Sequence, residues 1–216
     1  MLTQKLREIC RTENIDIVGC ADVEEFKIYE PMHHPRTYFP RTSVVIVIGI
    51  HLYDKILDTW SQNKNKGFQF ADQILENSAT KVHAFLKEEG FDSKLLSYAA
   101  GIYLKGAAAL AGIGSIGKNN LLITEQYGSQ IRLRAIATDA PLKCGQPIKE
   151  QIFCKNCPNR PCMKACPADA FKTGKYDRNA CHDYCIHNLQ KLSRFSSVWC
   201  TKCIDACPVG KIKRKK

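Results

Sequence analysis

Nine of the twelve cysteines lie between Cys154 and Cys207, and this crowding constrains the fold more than any other feature of the chain. Seven of the nine form two runs, C-x2-C-x4-C-x3-C-P ending at Pro167 and C-x2-C-x3-C-P ending at Pro208. In two-cluster bacterial ferredoxins, closely spaced cysteines hold one iron-sulfur cluster and the cysteine of the C-P dipeptide binds the other. The two runs therefore predict a pair of 4Fe-4S clusters.

Structural zinc is the alternative for these cysteines. It also uses C-x2-C pairs, and it would fold a small basic module that could bind nucleic acid. A zinc ribbon needs pairs of cysteines, however, and not a four-cysteine run closed by proline. Disulfides are disfavoured because the start, MLTQKLREIC, has no apolar core of a secretory signal, so a cytoplasmic location is expected, where thiols stay reduced.

Charge divides the 216-residue chain at the same place as the cysteines. Residues 1–150 carry a net charge of +1 and residues 151–216 carry +10, which together give the overall +11. This split predicts two domains, residues 1–149 and residues 150–216. The longest apolar run, Val44 to Ile50, is too short to cross a bilayer, which takes about 20 residues, so we expect no membrane span.

Hydrophobic periodicity predicts a layered α/β or α+β domain for the first segment. Apolar residues recur at helical spacing in LTQKLREICRTEN and from Phe70 to Phe85, where a helix should end at Gly90. Strands are predicted at IDIVGCA, SVVIVIGIHL, SKLLSYA, LLIT and SQIRLRAIATD, and the Ala-rich IYLKGAAAL should be a helix. The proline-containing YEPMHHPRTYFPR between the first two strands is predicted to be a loop.

The stretch AGIGSIGKNN, residues 111–120, fits two nucleotide-binding patterns and satisfies neither. Its G-x-x-x-x-G-K is followed by Asn119, where a P-loop needs a Ser or Thr hydroxyl for magnesium. Its G-x-G-x-x-G follows a helix, whereas the dinucleotide fingerprint follows a strand. What remains is a glycine-rich exit from a helix, which is either a plain C-cap or a place where the backbone lies close to a ligand.

This stretch and its surroundings resemble the epoxyqueuosine reductase family of iron-sulfur and cobalamin-dependent enzymes, which is related to the reductive dehalogenases. The resemblance rests on LAGIGSIGKNNLLITEQYGSQIRLRAIATDAPL followed by the paired cysteine runs, and extends to DIVGCAD and FPRTSVVIVIG nearer the start. It implies an enzyme in which the first domain holds a corrinoid. Gly112, Gly114 and Gly117 would let the backbone approach the macrocycle, and Lys118 and Asn119 would donate to its periphery.

The resemblance also implies how the cysteines are shared between the clusters. One cluster would be bound by Cys154, Cys157, Cys162 and Cys207, and the other by Cys166, Cys181, Cys200 and Cys203. Cys185 has no counterpart in the family pattern and is interpreted as a spare buried thiol.

Two departures from the family pattern bear on function. Tyr98 stands where a family member carries the aspartate that donates a proton to the epoxide. A tyrosine can serve as a general acid, although a strand tyrosine is more often part of the core. From the sequence given, we do not expect the C-terminal helical repeat domain of longer family members. Contact with tRNA through the basic C-terminal segment, which ends in KIKRKK, is a weaker expectation.

The function predicted from the residues and the resemblance is that of an iron-sulfur oxidoreductase. It would take electrons from a low-potential ferredoxin or flavodoxin and pass them through two 4Fe-4S clusters to a bound corrinoid. The alternatives are a ferredoxin-like electron-transfer or corrinoid-reducing partner with no substrate of its own, and a zinc-folded nucleic-acid-binding module.

Overall fold

The computed structural model describes residues 2–63, 66–96 and 101–210, with the backbone alone described at 62, 63 and 66–68. Within these ranges the α-helices are α1 Leu2–Thr12, α2 Pro35–Tyr38, α3 Phe70–Glu88, α4 Leu104–Leu110, α5 Pro161–Lys164, α6 Arg178–His187 and α7 Lys202–Asp205. The strands are β1 Ile17–Asp22, β2 Val44–His51, β3 Trp60–Asn63, β4 Lys66–Gln69, β5 Ser93–Leu96, β6 Ser115–Ile116, β7 Leu122–Ile123, β8 Ile131–Thr138, β9 Gln190–Lys191 and β10 Ser196–Val198.

The core is built on a four-stranded antiparallel sheet with the strand order β1-β2-β8-β5. Successive residues of β2 point to opposite faces, so Ile46 and Ile48 pack with α1 and α3, while Val45 and Val47 pack with α4. Both faces are covered by helices. This double burial explains why β2 reads as a continuous apolar run and not as an alternating one.

Two helices cover one face of this sheet in the positions that the periodicity predicts. α1 buries Leu6 and Cys10, and α3 buries one side that includes Leu75 and Val82. Gly90, just beyond α3, has φ +86°, a left-handed conformation that glycine adopts without a Cβ clash. The mixed helix and sheet architecture is therefore confirmed.

A second sheet joins the two halves of the chain. Its strand order is β4-β3-β10-β9, in which the β3–β4 hairpin belongs to the first segment and β9 and β10 belong to the cysteine segment. Ser61 pairs with Ser196, and the ring centroids of Trp60 and Trp199 lie 6.4 Å apart. The division into domains 1–149 and 150–216 stays a prediction, because this sheet crosses the expected boundary.

The predicted loop at 29–41 contains short helical turns. A 3₁₀ turn covers Pro31–His33 and is followed by α2, which has Pro35 at its first position. Proline fits the first turn of a helix because the N–H that it lacks would have no partner there. Among the described helices, none has the length and apolarity that crossing a bilayer requires.

Candidate functional site

The first predicted ligand set, Cys154, Cys157, Cys162 and Cys207, comes together in the structure. Burial raises the pKa of the Cys162 thiol, and the neighbouring thiols of Cys207, Cys154 and Cys157 add to that rise while the Met163 backbone opposes it. Cys154, Cys162 and Cys207 are buried. Ile123, Phe153 and Val209 pack around Cys154 and Cys207. The four thiols therefore lie near one another, and two of them lie in an apolar setting.

The second predicted set, Cys166, Cys181, Cys200 and Cys203, also comes together. Burial raises the pKa of Cys203 to about 12, and the thiols of Cys200, Cys181, Cys166 and Cys162 contribute further. Three of these four neighbours belong to the same predicted set. The fourth, Cys162, belongs to the first set, so the two groups of thiols adjoin each other.

Short helices place the thiols of both groups. α5 carries Cys162 and α7 carries Cys203, and these two helices pack against each other. α6 carries Cys181 and begins where the Asp177 side chain accepts a hydrogen bond of 3.0 Å from the Ala180 N–H. Such a cap supplies a partner for one of the free N–H groups of the first turn. All three helices therefore present a cysteine to one region.

Cys185 lies one helical turn after Cys181 on the same face of α6. It is 4% exposed, and burial raises its pKa to about 11, with Cys181 and Cys200 as further neighbours. Tyr176 also contacts this group: burial raises its pKa, and the Cys181 thiol is the next cause. The second group thus includes a fifth thiol and a phenol, which the sequence did not identify as part of the site.

None of the twelve cysteines forms a disulfide. Among the described residues, no three Cys, His, Asp or Glu side chains converge closely enough to bind a single metal ion. A 4Fe-4S cluster makes a different demand, because each of its four thiolates binds a separate iron atom. The assignment of the eight cysteines as the ligands of two such clusters stays a prediction.

The glycine-rich stretch begins as a helix C-cap. Gly112 has φ +74°, the Ile113 N–H donates to the Ala108 carbonyl at 3.0 Å, and the Gly112 N–H donates to the Ala109 carbonyl at 3.1 Å. This pair of bonds is the Schellman motif that ends many helices. The prediction of a glycine exit from an Ala-rich helix is therefore confirmed.

The chain itself fills the space that the three glycines leave. A Cβ on Gly112 would lie 2.7 Å from the Gln146 carbonyl oxygen. A Cβ on Gly114 would lie 2.3 Å from the Ile123 carbonyl oxygen, and one on Gly117 would lie 2.3 Å from Ile123 Cδ1. Intramolecular packing therefore accounts for all three glycines, and their approach to a macrocycle stays a prediction.

Lys118 and Asn119, which follow Gly117, contact other parts of the chain than the three glycines do. The Lys118 N–H donates to Cys154 Sγ at 3.4 Å, so the turn contacts the first thiol group. Asn119 is only 2% exposed; its Nδ2 lies 3.5 Å from Ser129 Oγ, and its Oδ1 accepts from the Leu121 N–H at 3.3 Å. The hydrogen-bonding groups of Asn119 are thus used inside the turn.

A cavity of about 330 Å³ lies between the glycine turn and the cysteine segment. Its lining includes Gly117, Lys118, Asn120, Gln151, Arg160, Met163 and Tyr176. Two cations and two amides suit an anionic or amide-bearing ligand. This volume of about 330 Å³ is at the lower end of small-ligand pockets, which span about 300–1,000 Å³.

Tyr98 lies outside the described residues, as do its neighbours 97, 99 and 100. Tyr103, five residues after Tyr98, belongs to a group of aromatic rings with Tyr29 and His33. The ring centroids of His33 and Tyr103 are 4.1 Å apart, those of Tyr29 and Tyr103 are 5.4 Å apart, and His33 Nδ1 lies 3.0 Å from the Gly101 carbonyl oxygen. His33 therefore packs against an aromatic partner, Tyr103.

Known proteins similar in sequence to this chain are reductases. It is 25% identical over 211 residues to a tetrachloroethene reductive dehalogenase of Desulfitobacterium hafniense, covering 90% of this chain and 38% of that protein. It is 29% identical over 207 residues to an epoxyqueuosine reductase of Listeria monocytogenes, covering 87% of this chain and 53% of the relative. The chain thus spans about half or less of these relatives. No family model matches it.

The fold is similar to that of a solved epoxyqueuosine reductase. A crystal structure of the selenomethionine-labelled enzyme superimposes with a TM-score of 0.75 at 20% identity, covering 97% of this chain and 66% of that one. Together with the sequence matches, this likeness confirms the predicted resemblance to the epoxyqueuosine reductases. The relatives are named as reductases, which agrees with the prediction of an enzyme.

Proposed function

We propose that this epoxyqueuosine reductase-like chain is an iron-sulfur reductase that passes electrons through two 4Fe-4S clusters to a bound corrinoid. In this proposal residues 1–149 form a corrinoid-binding domain, and residues 150–216 form a small ferredoxin-like domain. A cytoplasmic location is part of the proposal. The reduced substrate would be a small molecule or a group carried on RNA.

The observation that carries the proposal is the adjacency of the two thiol groups. Cys162 neighbours the thiols of its own set and also Cys203 of the other set. When bound, the two clusters would supply one-electron transfer over a wide range of potentials, and a corrinoid would supply reduced cobalt as a nucleophile or reductant. Adjoining ligand sets keep two such centres close together.

The residues of the chain have separate tasks in this proposal. Ile123, Phe153 and Val209 exclude water from Cys154 and Cys207. Lys118 and Arg160 line the cavity beside the glycine turn and are placed to bind an anionic group of the cofactor or substrate. Tyr98 would donate the proton, and its replacement by Phe tests that role, because unchanged turnover would remove it from the reaction.

One observation favours the second candidate, an electron-transfer partner that reduces a corrinoid held by another protein. All three glycines of the turn pack against the chain's own atoms, and Asn119 is used internally, so fewer groups remain for a resident macrocycle. Retention of a corrinoid separates the two candidates.

Anaerobic purification followed by metal and corrinoid analysis tests the proposal. We expect about eight irons per chain with broad absorbance near 400 nm, together with stoichiometric retention of added cobalamin. Iron without cobalamin would favour the electron-transfer partner. Zinc without iron would favour a zinc-folded module, for which binding of an RNA stem-loop is the next measurement. An iron-poor, colourless protein would overturn the proposal.

A further inference from the structure

Ten consecutive residues beside the second thiol group, 186–195, are all exposed. They run from the last turn of α6 through β9 to the tip of the β9–β10 hairpin. Four of their side chains are large and apolar, with exposed fractions of 48% for Ile186, 39% for Leu189, 46% for Leu192 and 65% for Phe195. We name residues 186–195 the hairpin surface. Large apolar side chains close together on a surface mark an interaction site.

The hairpin surface is cationic as well as apolar. Its sequence, IHNLQKLSRF, contains Lys191 and Arg194 and no acidic residue. The Arg194 guanidinium lies 5.5 Å from the centroid of the Phe195 ring, a cation–π arrangement that keeps the charge beside the apolar group. An apolar centre with a cationic rim suits a partner whose surface carries carboxylates around an apolar patch.

Hydrogen bonds hold the tip of the hairpin in one conformation. The Leu192 N–H donates to the Ser196 carbonyl at 3.0 Å, the Ser193 and Ser196 hydroxyls lie 2.6 Å apart, and the Phe195 N–H donates to Ser193 Oγ at 3.1 Å. At the other end, the Asn188 N–H donates to the Tyr184 carbonyl at 3.0 Å and closes α6. A surface that is ordered in advance loses less conformational entropy when a partner binds.

The hairpin surface is joined to the second thiol group at both of its ends. Buried Cys185 immediately precedes exposed Ile186, and Cys181 lies one turn earlier on α6. At the other end, β10 leads through Trp199 into Cys200. Electron transfer between proteins requires short separations, and the interfaces involved are small, commonly below about 1,200 Å². A surface that is joined at both ends to the second thiol group suits such a carrier.

We propose that the hairpin surface docks an acidic one-electron carrier protein, which delivers electrons to the second thiol group's cluster. This inference rests on the proposed function, and it adds the place where electrons enter. One electron leaves the carrier's reduced cofactor and enters the cluster, so the carrier is oxidised by one electron and the cluster is reduced by one. No bond forms or breaks, and no proton moves.

Docking is tested on the full chain, purified without oxygen, with a reduced flavodoxin as the probe. One variant carries Leu192→Ser with Phe195→Ser, and a second carries Lys191→Glu with Arg194→Glu. A matched control carries Ile28→Ser with Lys143→Glu, which changes an exposed apolar and an exposed cationic residue of the first segment. Cluster reduction is followed near 400 nm, with dithionite as a small reductant that needs no docking surface.

Both hairpin variants should be reduced by flavodoxin at least about tenfold more slowly than the parent, while the control variant and all dithionite rates stay unchanged. Added salt should slow reduction of the parent and should have little effect on the charge-reversal variant. Parent-like flavodoxin rates in both hairpin variants with full iron content would overturn the proposal. The proposal would also be overturned if the hairpin variants lost binding to a tRNA anticodon stem-loop while flavodoxin still reduced them at the parent's rate.

Binding of oxidised flavodoxin, measured by calorimetry, gives a readout that needs no cluster. If the chain contains no iron, the proposed function fails. The docking surface would still be identified if the parent binds flavodoxin and the hairpin variants do not. Equal binding by the parent and both hairpin variants would overturn the docking proposal alone.

Discussion

The backbone N–H of Lys118 donates a hydrogen bond to Sγ of Cys154, with 3.4 Å between the two atoms. This contact joins the glycine turn of the first segment to the first thiol group of the second. Hydrogen bonds to cluster sulfurs are one of the means by which a protein sets a cluster's reduction potential. The turn is therefore part of the electrostatic surroundings of that thiol group, whatever else it binds.

Loss of one thiol from either group should remove one cluster and leave the other. We expect Cys154→Ser to lower the iron content from about eight to about four per chain, and Cys200→Ser to do the same. Iron analysis with electron paramagnetic resonance of the reduced protein checks both values. Cys144→Ser is the matched control and should keep all of the iron, since Cys144 lies outside both thiol groups.

Gly114 and Gly117 should respond differently to alanine, because different atoms fill the space beside them. The Gly114 Cβ position meets the carbonyl oxygen of Ile123, which cannot move without the strand, so Gly114→Ala should cost about 3 kcal/mol. The Gly117 position meets Ile123 Cδ1, the flexible end of a side chain, so Gly117→Ala should cost about 1 kcal/mol.

Ile123→Val removes that terminal methyl and provides the control. The Gly117→Ala, Ile123→Val double variant should lose at least about 0.5 kcal/mol less unfolding free energy than the two single changes lose together. Ile123→Val should give no such recovery when it is combined with Gly114→Ala. Denaturant unfolding of the three single and two double variants, compared with the parent, measures both coupling energies. Equal coupling for the two glycines would contradict the packing described for this turn.

The elements that the sequence predicted well are those with a local cause. Val44 to Ile50 is continuously apolar because helices cover both faces of β2, and α3 shows helical periodicity because one side of it is buried. The β3–β4 hairpin was not predicted. Its strands are polar, and β3 pairs with β10, a partner more than 130 residues away that no local pattern reveals.

In the candidate site, too, the features with a local sequence signal were predicted and those that depend on tertiary packing were not. The cysteine runs predicted two thiol groups because ligand spacing is a local property, although sharing eight ligands between two groups required the family resemblance. The glycines of the turn were visible in the sequence, yet only the structure shows that Ile123 and Gln146 fill the space beside them. Tyr176 had no signal, because its place next to Cys181 depends on how α6 packs.

The contact between residues 127–128 and 209–210 should be essential for attaching the cysteine segment. A Cβ on Gly210 would lie 1.9 Å from the Gly128 nitrogen, and Gly210 also has φ +72°. Gly210→Ala should therefore cost about 3 kcal/mol or more, the sum of backbone strain of about 1–2 kcal/mol and overpacking of about 1–3 kcal/mol.

Gly174 separates these two effects. It has φ +80° with nothing within 4 Å of its Cβ position, so Gly174→Ala should show the backbone strain alone, about 1–2 kcal/mol. Anaerobic thermal unfolding compares the two variants. Equal shifts of the melting temperature would mean that the close approach at Gly210 contributes nothing to stability.

The three cysteines outside the thiol groups should differ in reactivity towards iodoacetamide. Burial raises the pKa of Cys10 and of Cys20 to about 12, so at pH 8 only about one molecule in 10⁴ carries the reactive thiolate at either position. Burial raises the pKa of Cys144 too, but this residue is only half-buried, whereas Cys10 and Cys20 are buried. Peptide mass spectrometry of the native protein should find Cys144 modified first.

Raising the pH from 8 to 9 should increase the thiolate fraction of Cys10 and Cys20 about tenfold, because both pH values lie well below their pKa. Their labelling should accelerate accordingly if the reagent reaches them in the folded state. Denatured protein is the control, since all three thiols should then react at similar rates. Modification of Cys10 as fast as Cys144 in the native protein would contradict the burial of Cys10 between α1 and the sheet.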